Sequence, residues 1–204
     1  MTRQGTRALS VVGLIAGLLL AGCGGAPGPT PTSASASGAP ASSSSVPADV
    51  PTVPSPDLDT NRFASNPCGM LTAAQVQSKQ VAAGVRGAPR ESPLGPSCAW
   101  EASSTPAENS FAVTVNNQIG GIAQLYAQKS NFKVWEPVQV AGYPAVIALD
   151  SDARDLGVCR LEIATAQKTV VSVDVSLSVG APDRNNPCPR ATAIGEMVLA
   201  TLKG

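Results

Sequence analysis

The 204-residue chain is 43% hydrophobic, 14% charged and only 3% aromatic, with five cysteines, eighteen prolines, no histidine and a formal charge of zero. That length accommodates one domain, or one domain with a tail. A neutral balance and a sequence pI near 6.2 leave no clustered Lys and Arg to neutralise a phosphate backbone, so nucleic acid is not an expected partner.

Residues 1–22 read as a targeting segment. Arg3 and Arg7 precede an apolar run from Ala8 to Ala21, interrupted only by Ser10, Gly13 and Gly17. That run is shorter than the roughly 20 residues a spanning helix needs. It ends in Leu20-Ala21-Gly22-Cys23, small residues before a cysteine, which resembles a bacterial lipoprotein signal. The resemblance implies a diacylglyceryl thioether on Cys23, cleavage before it and acylation of the new amine. The alternative is an ordinary secretory signal with a chance cysteine. Each buried methylene contributes about 0.8 kcal/mol, and a second acyl chain converts marginal binding into stable anchoring. The expected location is the outer face of the cytoplasmic membrane, with the membrane as partner through the lipid.

Residues 23–61 read as the lipidated cysteine followed by a disordered stalk. Of the 37 residues from Gly24 to Thr60, 30 are Gly, Ala, Pro, Ser or Thr, eight of them proline, and only Asp49, Asp57 and Asp59 are charged. Such composition buries too little apolar surface to offset its ordering entropy. As a flexible coil the segment spans roughly 35 Å end to end. Its Ser, Thr and Pro density would also suit O-glycosylation, an idea that an intact mass equal to the bare lipidated chain would remove.

Residues 62–204 form the expected single globular domain, long enough for one core. Thr72-Ala73-Ala74-Gln75 is a capping box that opens a helix running to about Ala83, with Gly84 and Gly87 ending it. Cys98-Ala99-Trp100 predicts a short strand, and Phe111, Val113 and Val115 alternate with Ala112, Thr114 and Asn116 in a second. Ile119, Ile122, Leu125 and Tyr126 recur at helical spacing after Gly120-Gly121, predicting a weaker helix. Further strands are expected around 134–140, 145–149, 158–164 and 169–177. In the last, Val171, Val173, Val175 and Leu177 face one way and Ser172, Asp174 and Ser176 the other, which predicts an antiparallel sheet with one wet face. Ile194, Met197, Val198, Leu199 and Leu202 mark a closing helix from about Pro189. The fold class is α+β, an antiparallel sheet with the N-terminal and C-terminal helices packed on one face.

Cys68, Cys98, Cys159 and Cys188 meet an oxidising compartment once exported, and an even number without Cys-x-x-Cys spacing predicts two disulfides. Zinc ligation, the alternative, lacks close ligand pairs and histidine. Three connectivities are possible. Asn-Pro-Cys opens a helix twice, each time about 30 residues from a strand cysteine, which favours Cys68 with Cys98 and Cys159 with Cys188. By chain entropy two such bridges contribute about 7 kcal/mol, against a usual total of about 5 to 15.

These residues also carry a family likeness. Asn66-Pro67-Cys68-Gly69-Met70-Leu71-Thr72-Ala73-Ala74-Gln75-Val76, then Cys98-Ala99-Trp100, Val140-Ala141-Gly142-Tyr143-Pro144-Ala145, Cys159-Arg160-Leu161 and Pro187-Cys188 resemble the actinobacterial lipoproteins of domain of unknown function 3558. The resemblance runs from about Asn66 to Leu202. It implies a lipid-anchored envelope protein and brings no catalytic residues with it.

Without histidine, Ser-His-Asp and Cys-His arrangements and imidazole acid/base chemistry are impossible. With four cysteines paired and Cys23 lipidated, no thiolate nucleophile is expected. The enzymatic option that survives is a carboxylate pair drawn from Asp150, Asp152, Asp155 and Glu162. The stretch Asp150 to Gly157 superficially resembles a calcium loop, but its twelfth position is Leu161 and Arg154 places a positive charge inside it, so a solvated connection is expected. Trp100 is expected beside a disulfide, Trp135 in sheet packing rather than at a ligand, and Gly142-Tyr143-Pro144 in a turn. Gly120-Gly121 lacks the Lys and the spacing of a phosphate loop. No metal and no cofactor are expected. The expected function is a non-catalytic extracytoplasmic binding or sensing module for a small molecule, with a structural role beside another envelope protein as the alternative and a carboxylate hydrolase behind both.

Overall fold

A computed structural model of the chain describes residues 47–79, 85–101 and 109–204. Their elements are α1 (Ala73–Gln77), β1 (Ala88–Arg90), β2 (Ser97–Trp100), β3 (Ser110–Asn116), α2 (Ile122–Ala127), β4 (Val134–Val140), β5 (Tyr143–Leu149), β6 (Val158–Ala166), β7 (Thr169–Ser176) and α3 (Cys188–Lys203), with short 3₁₀ turns between. The strands make one seven-stranded sheet in the order β1-β2-β3-β7-β6-β5-β4, antiparallel at every pairing. Two meanders, β1 to β3 and β4 to β7, are joined through α2 and meet where β3 pairs with β7. Both edge strands contain a proline, Pro89 in β1 and Pro137 in β4, where a missing N–H interrupts no central ladder.

The first face of the sheet is apolar. Cys98, Val113, Val173, Leu161 and Ile147 lie side by side across five strands. On this face sits α3, whose Ala191, Ile194, Val198, Leu199 and Leu202 recur every three or four residues and are buried. Burial of each large aliphatic side chain contributes on the order of 1.5 to 3 kcal/mol. The approach is close: a Cβ on Gly195 would stand 2.6 Å from Ile163 Cδ1. The 3₁₀ turn Pro67–Met70 packs on β2 and β3 beside α3. Two disulfides tie these helical pieces to the sheet, Cys68–Cys98 to β2 and Cys159–Cys188 to β6. Trp100 and Cys98 Sγ both close around Gly87, and Trp100 stacks on Phe111 at 5.0 Å.

The capping box forms as expected, with Thr72 Oγ1 accepting from Gln75 N at 3.3 Å and Gln75 Oε1 accepting from Thr72 N at 2.7 Å. Of the helix expected to reach Ala83, α1 accounts for Ala73–Gln77, and residues 80–84 lie outside the described ones. Val140 and Tyr143 are joined by a two-residue turn in which Ala141 and Gly142 both have positive φ, 47° and 87°. That is the type I′ geometry whose twist matches flanking strands.

Two expectations change on the second face. Ser172 and Glu162 are 1% and 5% exposed, so this face is not uniformly wet. It carries cover of its own: α2 packs there through Tyr126, which meets Trp135 edge to face at 5.1 Å. The boundary at Arg62 also moves. Residues 47–61, placed in the stalk from composition, lie on the domain: Val53 is 3% exposed in the core, Leu58 N donates to Thr165 O at 2.9 Å, and Gln167 N donates to Asp57 Oδ2. Pro51 shares a hollow with Tyr126, Pro137 and Pro144. A Pro-rich strand of chain can lie against a sheet without joining it, because fixed φ lowers the entropy of ordering it.

Candidate functional site

Strand pairing sets two neighbouring rows of side chains on the second face. In one, Ser97, Thr114, Ser172 and Glu162 lie side by side on β2, β3, β7 and β6. All four are buried. Ser97 and Thr114 share a hydrogen bond of 2.8 Å, and Ser172 Oγ donates to Glu162 Oε2 at 2.5 Å. In the next row, Ala99, Ala112, Asp174 and Arg160 occupy the same four strands. Arg160 Nε donates to Asp174 Oδ1 at 2.7 Å, and its Nη1 lies 3.9 Å from Asp150 Oδ2.

Three members of the second row, Ala99, Ala112 and Asp174, line a groove of about 230 Å³. Ala99 and Ala112 make the floor low, and Val158 adds an apolar side. The Arg90–Glu101 ion pair, Asp174, Ser110 and Ser176 supply its polar lining, and Asp174 is in turn paired with Arg160. An apolar floor between paired charges of both signs can hold a small ligand with one apolar face and polar edges.

Glu162 is the buried acid in the row beside this groove. Burial pushes its carboxyl up to about 7, with the Asp174 charge acting in the same direction, while the Ser172 hydroxyl and Arg160 act against them.

The four acids of the sequence reading do not converge. Asp152 pairs with Arg154 at 2.6 Å, and that hydrogen bond first of all holds its carboxyl below the usual range. Arg154 also reaches Glu136 at 2.7 Å, filling the would-be calcium loop with its own cation. Asp155 is exposed in the same connection, Asp150 stands beside Arg160, and Glu162 is inside the sheet. Among the described residues no group of three or more acids and cysteines could hold a metal, and no helix is long and apolar enough to cross a membrane. Trp135 lies against Tyr126 and Phe132 in packing contacts. Cys23 lies outside the described residues. The sequence grouped Glu162 with the acids near residue 150 and gave no sign that it is buried.

The family model for proteins of unknown function DUF3558 matches residues 18–201. The chain belongs to this family. A search of the curated proteins finds no match to this DUF3558 chain. Among solved structures, it is similar to a protein of unknown function, PA94, from Pseudomonas aeruginosa, at 13% identity over 51% of this chain and 91% of that one, with a TM-score of 0.29. A likeness that distant carries no argument about the DUF3558 groove.

Proposed function

We propose that this DUF3558 chain is a lipoprotein held by Cys23 on the outer face of the cytoplasmic membrane, where its disulfide-stapled domain serves as a non-catalytic binding or sensing module. The observation that carries the binding role is the groove over Ala99 and Ala112, lined by the Arg90–Glu101 pair and by Asp174, which Arg160 holds from outside the lining. Support for a non-catalytic role is chemical: the chain has no histidine, its four domain cysteines are bridged, and the acids near residue 150 are dispersed among ion pairs. The anchor rests on the order of basic start, apolar run, small residues and Cys23.

A structural role beside another envelope protein is favoured by a different observation. Leu156 is 59% exposed and Val179 82%, on two loops joined by the Leu177 N to Gly157 O hydrogen bond.

Native mass spectrometry of the full chain, exported from an actinobacterial host and extracted gently, tests these readings together. A reproducible adduct that disappears in Ala112→Arg supports the groove. A bare protein whose mass shows both lipidation and two disulfides turns the assignment toward a protein partner. Cys23→Ser moves the chain from the membrane fraction to the soluble one if the anchor is correct, and leaves it in place if not.

A further inference from the structure

The groove wall and the buried acid are neighbours on one patch of sheet. Arg160 and Asp174 lie directly opposite each other on β6 and β7, and Glu162 and Ser172 lie directly opposite each other in the next row of the same face. Arg160 and Glu162 are two residues apart on one strand, so their Cα atoms stand about 7 Å apart and both side chains leave the same side. Arg160 is 40% exposed and Glu162 5%. A carboxylate ionised at that depth needs more than the one hydroxyl it has, because an unpaired buried charge is costly.

The groups able to answer it are few. Among the described residues Asp174 and Arg160 are the charged groups that act on Glu162, and its β5 neighbour Val146 is apolar. From the cover, α2 brings Ile122, Leu125 and Tyr126, with no charge in its sequence. On the 47–61 segment, Asp49 faces Lys129, Asp57 accepts from Gln167 N and Asp59 accepts from Asn61 N. Asp150 reaches toward Arg160 from the solvent side. Among the described residues the one cation placed to answer an ionised Glu162 is Arg160, whose guanidinium carries five donors and already engages Asp174.

We propose that Glu162 is a proton-operated control on this groove: protonated, it leaves Arg160 to Asp174; ionised, it draws Arg160 away and leaves Asp174 as a free carboxylate in the groove wall. The inference rests on the groove reading for its meaning, but the switch itself belongs to the ligand-free protein. A proton leaving Glu162 goes to solvent, and no bond other than hydrogen bonds and ion pairs changes. Loss of that proton adds one negative charge beside the groove and moves a guanidinium by the spacing of one row.

The test is an NMR titration of the exported, disulfide-bonded chain in detergent micelles, without ligand, following the carboxyl carbons of Glu162 and Asp174 and the Nε–H of Arg160 from pH 5 to 9. The expected result is one midpoint near neutrality shared by all three signals. In Glu162→Gln the Arg160 and Asp174 signals stay flat over that range, while in Ser172→Ala the shared midpoint moves upward because the ionised form loses a donor. Arg160 and Asp174 signals that stay flat through the Glu162 transition in the wild type, or a Glu162 midpoint in the ordinary carboxylate range, overturn the proposal. Neither result bears on whether the groove binds a ligand, which the adduct experiment decides separately.

Discussion

Ser172 on β7 donates its hydroxyl to Glu162 on β6 across a strand pair, on a face where both side chains are buried. The bond gives the carboxyl one donor and leaves the rest of its oxygen lone pairs to the protein interior. Burial therefore outweighs the hydrogen bond, and Glu162 is pushed up to about 7.

Stability should consequently depend on pH. A folded-state value of about 7 above an unfolded reference of 4.5 means that the folded chain holds the extra proton between those values. The contribution of neutral Glu162 is complete below the unfolded value, falls as pH rises through that window and is gone above about 7. Urea unfolding of Glu162→Gln should match wild type at pH 4.5 and exceed it by about 2 to 3 kcal/mol at pH 8. Equal stabilities at pH 8 would refute this account of the carboxyl.

The bridges Cys68–Cys98 and Cys159–Cys188 close loops of 30 and 29 residues. Each constrains the unfolded chain by about 3.6 kcal/mol. Replacing either pair with serine should lower the unfolding free energy by roughly 3 to 4 kcal/mol, and replacing both should leave little folded protein at 37 °C, as read by near-UV circular dichroism.

Ala141 holds a positive φ of 47° in a turn whose second residue is Gly142. A left-handed conformation costs an alanine on the order of 1 kcal/mol, whereas asparagine and glycine adopt it readily. Ala141→Asn should raise the thermal midpoint by a few degrees. An unchanged or lower midpoint in calorimetry would show that Ala141 carries no strain in this turn.

Val53 is 3% exposed although it lies in a tract of proline, serine and threonine. Val53→Ala should cost about 2 kcal/mol. A chain beginning at Pro47 should likewise melt higher than one beginning at Arg62, because the shorter one loses Val53 and the Leu58 to Thr165 bond. Coincident melting curves would return residues 47–61 to the stalk.

Much of the fold was legible because its signals are local. The capping box at Thr72 and Gln75 forms whatever surrounds it. Strands β4 to β7 begin and end close to the expected limits, since apolar β-branched runs bounded by turn residues recur and the last of them alternates. Strand β1 was missed: three exposed residues centred on Pro89 carry no alternation, and only pairing with β2 makes them a strand. The groove was equally silent, because Arg90, Ala99, Ala112 and Asp174 come from four strands and are brought together by register alone.

By itself the sequence determined the class of the fold and the family and favoured one of three cysteine pairings, because periodicity and short motifs act within a few residues or along one strand. The tertiary structure alone decided that the Pro-rich 47–61 segment lies on the domain and that α2 covers the second face. It also decided that Glu162 is buried beside the Arg160–Asp174 pair. Those outcomes depend on which surfaces exclude water from which, and burial is set by elements more than a hundred residues apart in the chain, as Asp57 and Gln167 are.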